Sequence, residues 1–240
     1  MKFKLHKIEH MFYNDIIKDA KRCQDKKEWY EFMKTLIIEI AQGDLEILSS
    51  SHYILCVAKV LTDENSLVIW QTEERILAHN EMSWEENANY SLFCSNNNTN
   101  RKKVVMNIPD KEIALGEYLT LTETGTFGDS KQGPWNDQLG LINQYGSIYP
   151  GICQQCTDFN GAASKDPIFL NPTPSLPGEF TIKPLEKIMV WFEQDVEKGM
   201  YLFHNWTDSV QAAKTKKITV DMQEKDQITL SYENYDWKIL

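Results

Sequence analysis

The sequence predicts a mainly β protein, a two-layer antiparallel β-sandwich over residues 44–240 with a helical hairpin appended at residues 1–43. Three observations predict it. Apolar and polar residues alternate through most of the chain after Leu45, as they do in a half-buried strand whose successive side chains point to opposite faces. Polar runs such as Gln223-Glu224-Lys225-Asp226 and Glu233-Asn234-Tyr235-Asp236 separate these stretches, as hairpin turns do. Before Gly43, apolar residues recur at spacings of three and four, the period of an amphipathic helix.

Taken in order, Ile8, Met11, Phe12, Ile16, Ala20 and Cys23 form one helical stripe. Trp29, Phe32, Met33, Leu36, Ile37 and Ile40 form a second. Asp25 with Glu28 matches a capping box between the two helices, and Gly43 stands where a helix would be capped at its C-terminus. Strands are expected near 45–48, 52–61, 67–71, 75–79, 90–94, 103–108 and 118–123. Segment 125–179 breaks the rhythm with eight glycines and six prolines. It also holds Trp135, Tyr145, Tyr149, Phe159 and Phe169, which a disordered linker would mostly lack, so an ordered long excursion is expected there. From Phe180 the alternation returns through Ile188-Val190-Phe192, Ile218-Val220-Met222, Ile228-Leu230-Tyr232 and Trp237-Ile239. The continuous run Met200-Tyr201-Leu202-Phe203 reads as a strand covered on both faces.

Charge and cysteine usage narrow the function classes. The chain has 25 Lys and Arg against 35 Asp and Glu, a net charge of −10. A nucleic-acid partner is excluded, because such binding needs clustered cations to displace phosphate counterions, and the one compact basic run is Arg101-Lys102-Lys103. No stretch approaches the ~20 apolar residues of a membrane span, and the start lacks the apolar core of a signal peptide. Cytoplasmic location is the default expectation, with export by a leaderless route left open. Five cysteines, mostly in apolar surroundings, read as reduced thiols rather than a disulfide framework.

Candidate sites follow from the excursion and its neighbours. A long loop on a rigid scaffold is where binding surfaces are usually built, and aromatic faces suit sugar rings and choline-like cations. The expected ligand-binding residues are Trp135, Asp137, Tyr145, Tyr149 and Trp206. Cys153-Gln154-Gln155-Cys156 has the spacing of a zinc half-site or a redox dithiol. His6 and His10 supply the only second pair for zinc. Asp129, Asn136 and Asp137 offer oxygen ligands for calcium, without an EF-hand pattern. No cofactor is expected otherwise. Trp70, Trp84, Trp191 and Trp237 fall in strand patterns and are expected in the core.

Two blocks carry a resemblance to a known family. The first is Ser66-Leu67-Val68-Ile69-Trp70-Gln71 with Met82-Ser83-Trp84 and Asn89-Tyr90-Ser91-Leu92-Phe93. The second is Lys187-Ile188-Met189-Val190-Trp191-Phe192 with Lys198-Gly199 and Asp236-Trp237-Lys238-Ile239. Over about half the chain these resemble the RhiA-like family, rhizosphere-expressed bacterial proteins associated with quorum-sensing control. The resemblance implies a non-enzymatic β-sandwich.

The functional expectation is therefore a non-catalytic, lectin-like protein that binds a carbohydrate or small molecule, or self-associates as a homo-oligomer. Two alternatives belong to other classes. One is a membrane-active, toxin-like protein inserting the Thr-rich stretch Leu119–Thr126. The other is a hydrolase whose carboxylates and histidines converge only in the folded chain.

Overall fold

The computed structural model of the protein describes residues 33–62, 64, 66–203 and 216–240. The chain divides into two units, residues 1–33 and residues 34–240. The first helical stripe and the start of the second, Trp29 and Phe32, lie outside the described residues, as do His6, His10 and Trp206.

The described chain is mainly β. Its first element is a strand, β1 (Met33–Ile40), and not the end of a helix. Lys34, Leu36, Ile38 and Ile40 turn inward on alternate positions, and the β-branched Ile37, Ile38 and Ile40 suit an extended backbone better than a helical one. The only helix described, α1 (Gln42–Ser50), stands where a strand was expected at 45–48. Asp44 and Leu48, one turn apart, are its buried positions, and Gly43 opens the helix instead of closing one.

The chain then forms β2 (Ile54–Lys59), β3 (Ser66–Val68), β4 (Gln71–Glu73), β5 (His79–Glu85), β6 (Tyr90–Ser95), β7 (Lys102–Lys103), β8 (Ile108–Ile113) and β9 (Glu117–Leu121). The presumed excursion departs most from expectation. It holds β10 (Lys131–Gln132), β11 (Leu139–Asn143), β12 (Tyr149–Thr157) and β13 (Ala163–Leu170), and the start of β14 (Gly178–Ile182). Far from a loop, it supplies β12, which pairs with β5, β6 and β13. The last strands, β15 (Lys187–Glu193), β16 (Met200–Phe203), β17 (Ile218–Asp221), β18 (Gln227–Glu233) and β19 (Asp236–Ile239), fall where the sequence pattern put strands.

The largest sheet runs β19-β18-β1-β5-β12-β6-β8, with β13 on β12. Three smaller sheets run β10-β9-β11-β14, β17-β15-β2-β4 and β3-β16-β7. The ladders of β1 with β18 and of β9 with β11 are parallel, so the arrangement is not wholly antiparallel.

Burial explains why the central strands read as continuous apolar runs. In β2, Leu55 and Val57 enter the main core while Cys56 and Ala58 enter a second cluster on the other face. In β15, Ile188, Val190 and Phe192 enter the main core, and Met189 and Trp191 the second cluster. Burying each such side chain removes apolar surface from water, at roughly 1.5–3 kcal/mol per large residue. Trp70, Trp84, Trp191 and Trp237 are all buried.

Candidate binding cleft

The turn joining β5 to β6, Glu86-Asn87-Ala88-Asn89, holds two asparagines in the left-handed backbone region, with φ of 55° at Asn87 and 57° at Asn89. Asn tolerates this conformation better than most residues, because its short polar side chain bonds locally. The turn is fastened from several directions. Gln154, fully buried in β12, donates from Nε2 to the carbonyls of Glu85 at 3.1 Å and Ala88 at 3.2 Å. The Gln155 amide donates to Asn89 O at 3.2 Å. Asn89 Nδ2 donates to Glu85 Oε2 at 2.8 Å, and Lys34 Nζ sits 2.9 Å from Glu86 Oε2.

This turn is one lip of a cleft of about 470 Å³. Glu112 at the end of β8 and Glu117 at the start of β9 line it too, as do Gln155 and Lys165. Glu117 Oε2 accepts the Ala114 amide at 3.0 Å, which fixes its carboxylate. Lys165 Nζ lies 2.6 Å from Asp110 Oδ2, and Ser91 Oγ donates to the same oxygen at 2.7 Å. Burial pushes the Asp110 carboxyl up, but the hydrogen bonds from Lys165 and Ser91 outweigh it and hold the group below the usual carboxylate range. The cleft thus offers amides, two carboxylates and an ammonium on a braced frame.

Beneath it lies a buried charged core. Lys59 Nζ contacts Glu186 Oε1 at 3.0 Å and Oε2 at 2.9 Å, and Trp84 Nε1 donates to Glu186 Oε2 at 2.7 Å. The ammonium stands 5.3 Å from the Trp70 ring centroid and 5.4 Å from that of Trp84, within cation–π range. Burial lowers the Lys59 pKa, and the opposing charge of Glu186 recovers only part of that. Burial first, then the charge of Glu186, pushes the Tyr90 phenol far above its ordinary value.

Among the described residues, those expected to bind ligand are each held by different partners. Trp135, between β10 and β11, is half-buried with its ring laid on Gly140; a Cβ there would stand 2.6 Å from Trp135 Cζ2. Its indole Nε1 is buried with no hydrogen-bond partner among the described residues. Asp137 is exposed and ion-paired to Lys183 at 2.6 Å, which holds its carboxyl below the usual range. Tyr145 follows the opposite end of β11 and covers Gly125. Tyr149 opens β12 and packs with Phe93, Cys153 and Tyr201.

The suggested metal sites also come apart. Cys153 and Cys156 lie three positions apart in one strand, so their side chains point to opposite faces and enter different clusters. Burial pushes each thiol up to about 12, the opposite of what a thiolate ligand or redox nucleophile needs. Asp129 and Asp137 pair with different lysines, Lys111 and Lys183. Among the described residues no group of three or more His, Cys, Asp or Glu is placed to hold a metal ion, and no helix is long and apolar enough to cross a membrane. In the Thr-rich stretch, Leu119 and Leu121 are fully buried in the main core, and the hydroxyls of Thr122 and Thr126 are 2.9 Å apart.

Sequence reasoning missed the cleft because its side chains come from five separated segments. The one local signal was the Asn-rich turn Asn87-Ala88-Asn89, of a kind that often takes left-handed backbone. Comparison of the chain with family models, with curated proteins and with solved structures gives no match.

Proposed function

We propose that this is a non-catalytic binding protein whose ligand is a hydroxyl-rich small molecule, a carbohydrate first of all, held in the cleft between the Asn87–Asn89 turn, Glu112, Glu117, Gln155 and Lys165. One observation carries the reading: polar side chains ring a concave site of about 470 Å³ on a turn held from beneath by a buried glutamine. Carbohydrate recognition depends on several fixed donors and acceptors, since each hydroxyl must recover the hydrogen bonds it gave to water. In this reading the sheets stack as a β-sandwich scaffold, and the likeness to the RhiA-like family agrees with a non-enzymatic role.

The test is a glycan array followed by calorimetry on the full chain, with Gln155→Ala and Lys165→Ala as variants. Gln155 is exposed and Lys165 partly so, which leaves the core untouched. At least one glycan class binds the native protein, and each variant weakens it by about tenfold, the worth of one or two lost hydrogen bonds. An array that stays blank for the native protein overturns the carbohydrate reading. Undiminished binding by both variants overturns the cleft.

A further inference from the structure

A second cavity has a different chemistry. It lies at the C-terminal end of α1, encloses about 470 Å³, and is lined by Tyr53, Tyr232 and Tyr235 together with Ile47, Leu48 and Gln194. That size falls within the ~300–1,000 Å³ of ordinary ligand pockets. Tyr53 is half-buried and Tyr235 exposed there, while Tyr232 is fully buried in the wall against Phe192 and Trp237; an aromatic wall of this kind attracts cations and not anions.

Two further features set the sign of the charge. The carbonyl end of a helix carries partial negative charge, normally offset by Lys or Arg in the last turn; α1 has no basic residue there. Asp44, in the first turn of the same helix, is buried and accepts the Asn234 amide at 2.7 Å, which holds the carboxylate beside the turn that carries Tyr235. Burial first, then the charge of Asp44, pushes the Tyr232 phenol up to about 12, so the ring stays neutral across the physiological range. The nearby Asp236 is already paired with Lys216 at 3.0 Å.

We propose that this tyrosine pocket binds a small free organic cation bearing a methylated ammonium group. Such a cation is only weakly hydrated and gains from aromatic faces, whereas a compact ammonium loses more hydration on entry. The site is separate from the cleft, so the two stand or fall independently.

The pocket carries its own reporters. Trp237 stacks on Phe192 at 5.3 Å and lies 4.8 Å from Tyr232, and the Asn234 amide is bonded to Asp44. Titrating the full chain with choline is expected to move the Trp237 indole and Asn234 amide resonances saturably. Its neutral isostere 3,3-dimethyl-1-butanol binds about tenfold more weakly, since it fills the same volume without the charge. Asp44→Asn keeps an oxygen for the Asn234 amide while removing the charge, and Tyr235→Gly suits the positive φ of 60° at that turn position. Each weakens choline by about fivefold or more at unchanged melting temperature. Choline that moves neither resonance overturns the proposal. So does equal binding of the isostere, or a choline affinity unaltered in both variants.

Discussion

Lys59 and Glu186, 127 positions apart in the chain, meet with the ammonium 2.9 and 3.0 Å from the two carboxylate oxygens, and neither side chain is more than 3 % exposed. The pair joins β2 to the residue just before β15, strands that also pair along their length. Taking two charges out of water costs several kcal/mol each, so such a pair is tolerated only when geometry and further hydrogen bonds compensate. Trp84 and the two indole faces supply that compensation.

Removing one partner leaves a bare buried charge. Lys59→Met is expected to destabilise the protein by about 3–5 kcal/mol in urea unfolding, while Lys59→Met with Glu186→Gln recovers most of the loss. Glutamine still accepts the Trp84 indole proton. A double variant as unstable as the sum of the single ones would contradict the ion pair as the source of the effect.

The buried thiols give the protein a pH signature. Burial raises Cys94, Cys153 and Cys156 to about 12 from an ordinary 9.0. Their folded pKa is above the unfolded one, so their contribution is complete below pH 9 and is lost as pH climbs from there toward 12. Lys59, lowered from 10.5, acts in the opposite direction, while Cys56, Tyr90 and Tyr232 are raised as the three thiols are. The unfolding free energy should be lower at pH 10.5 than at pH 8 by on the order of 1–2 kcal/mol per thiol, read from urea unfolding. Ellman's reagent at pH 8 should leave Cys56, Cys94, Cys153 and Cys156 unmodified until denaturant is added. Rapid reaction of Cys153 or Cys156 in the native protein would refute their burial.

Gly151 has no room for a side chain. A Cβ there would stand 2.1 Å from Phe93 Cζ, inside the cluster that also holds Cys153 and Tyr201. Gly151→Ala is therefore expected to cost about 1–3 kcal/mol by overpacking. The same change made in Phe93→Leu should cost clearly less, because the ring that blocks the Cβ is gone. Equal costs in the two backgrounds would place the strain elsewhere.

The strands that could be read from sequence are those with one wet face. Gln227–Glu233 alternates between exposed or half-exposed and buried positions because one side meets solvent. Elsewhere two physical effects hid the pattern. In Leu36-Ile37-Ile38-Glu39-Ile40 a short apolar run fits helix and strand alike, and only pairing with β18 decides it. In β12 and β13, glycine and proline suggested a loop, yet Pro150 sits in a paired strand with its carbonyl accepting the Asn171 amide at 2.8 Å, and Gly151 is there to admit Phe93. Pro167 sits next to the irregularity in the β12–β13 register, a place where strands accommodate proline.

The functional geometry was less legible still. Lys59 closes the apolar run Ile54-Leu55-Cys56-Val57-Ala58, where a lysine needs a buried acid as partner, yet no such pair was among the expected features. Nothing local pointed to Glu186. Both cavities gather residues from distant segments, and neither leaves a spacing to read.

The parallel register of β1 on β18 sets Thr35 against Gln227 and Ile40 against Tyr232. A nascent chain emerging from the ribosome therefore cannot complete its largest sheet until nearly two hundred further residues have been made, and until then β1 offers an open edge to any passing strand. Stopping synthesis at Asp226 should yield a species trapped by chaperones or aggregates and rapidly digested by protease, whereas release of the whole polypeptide lets that gap shut.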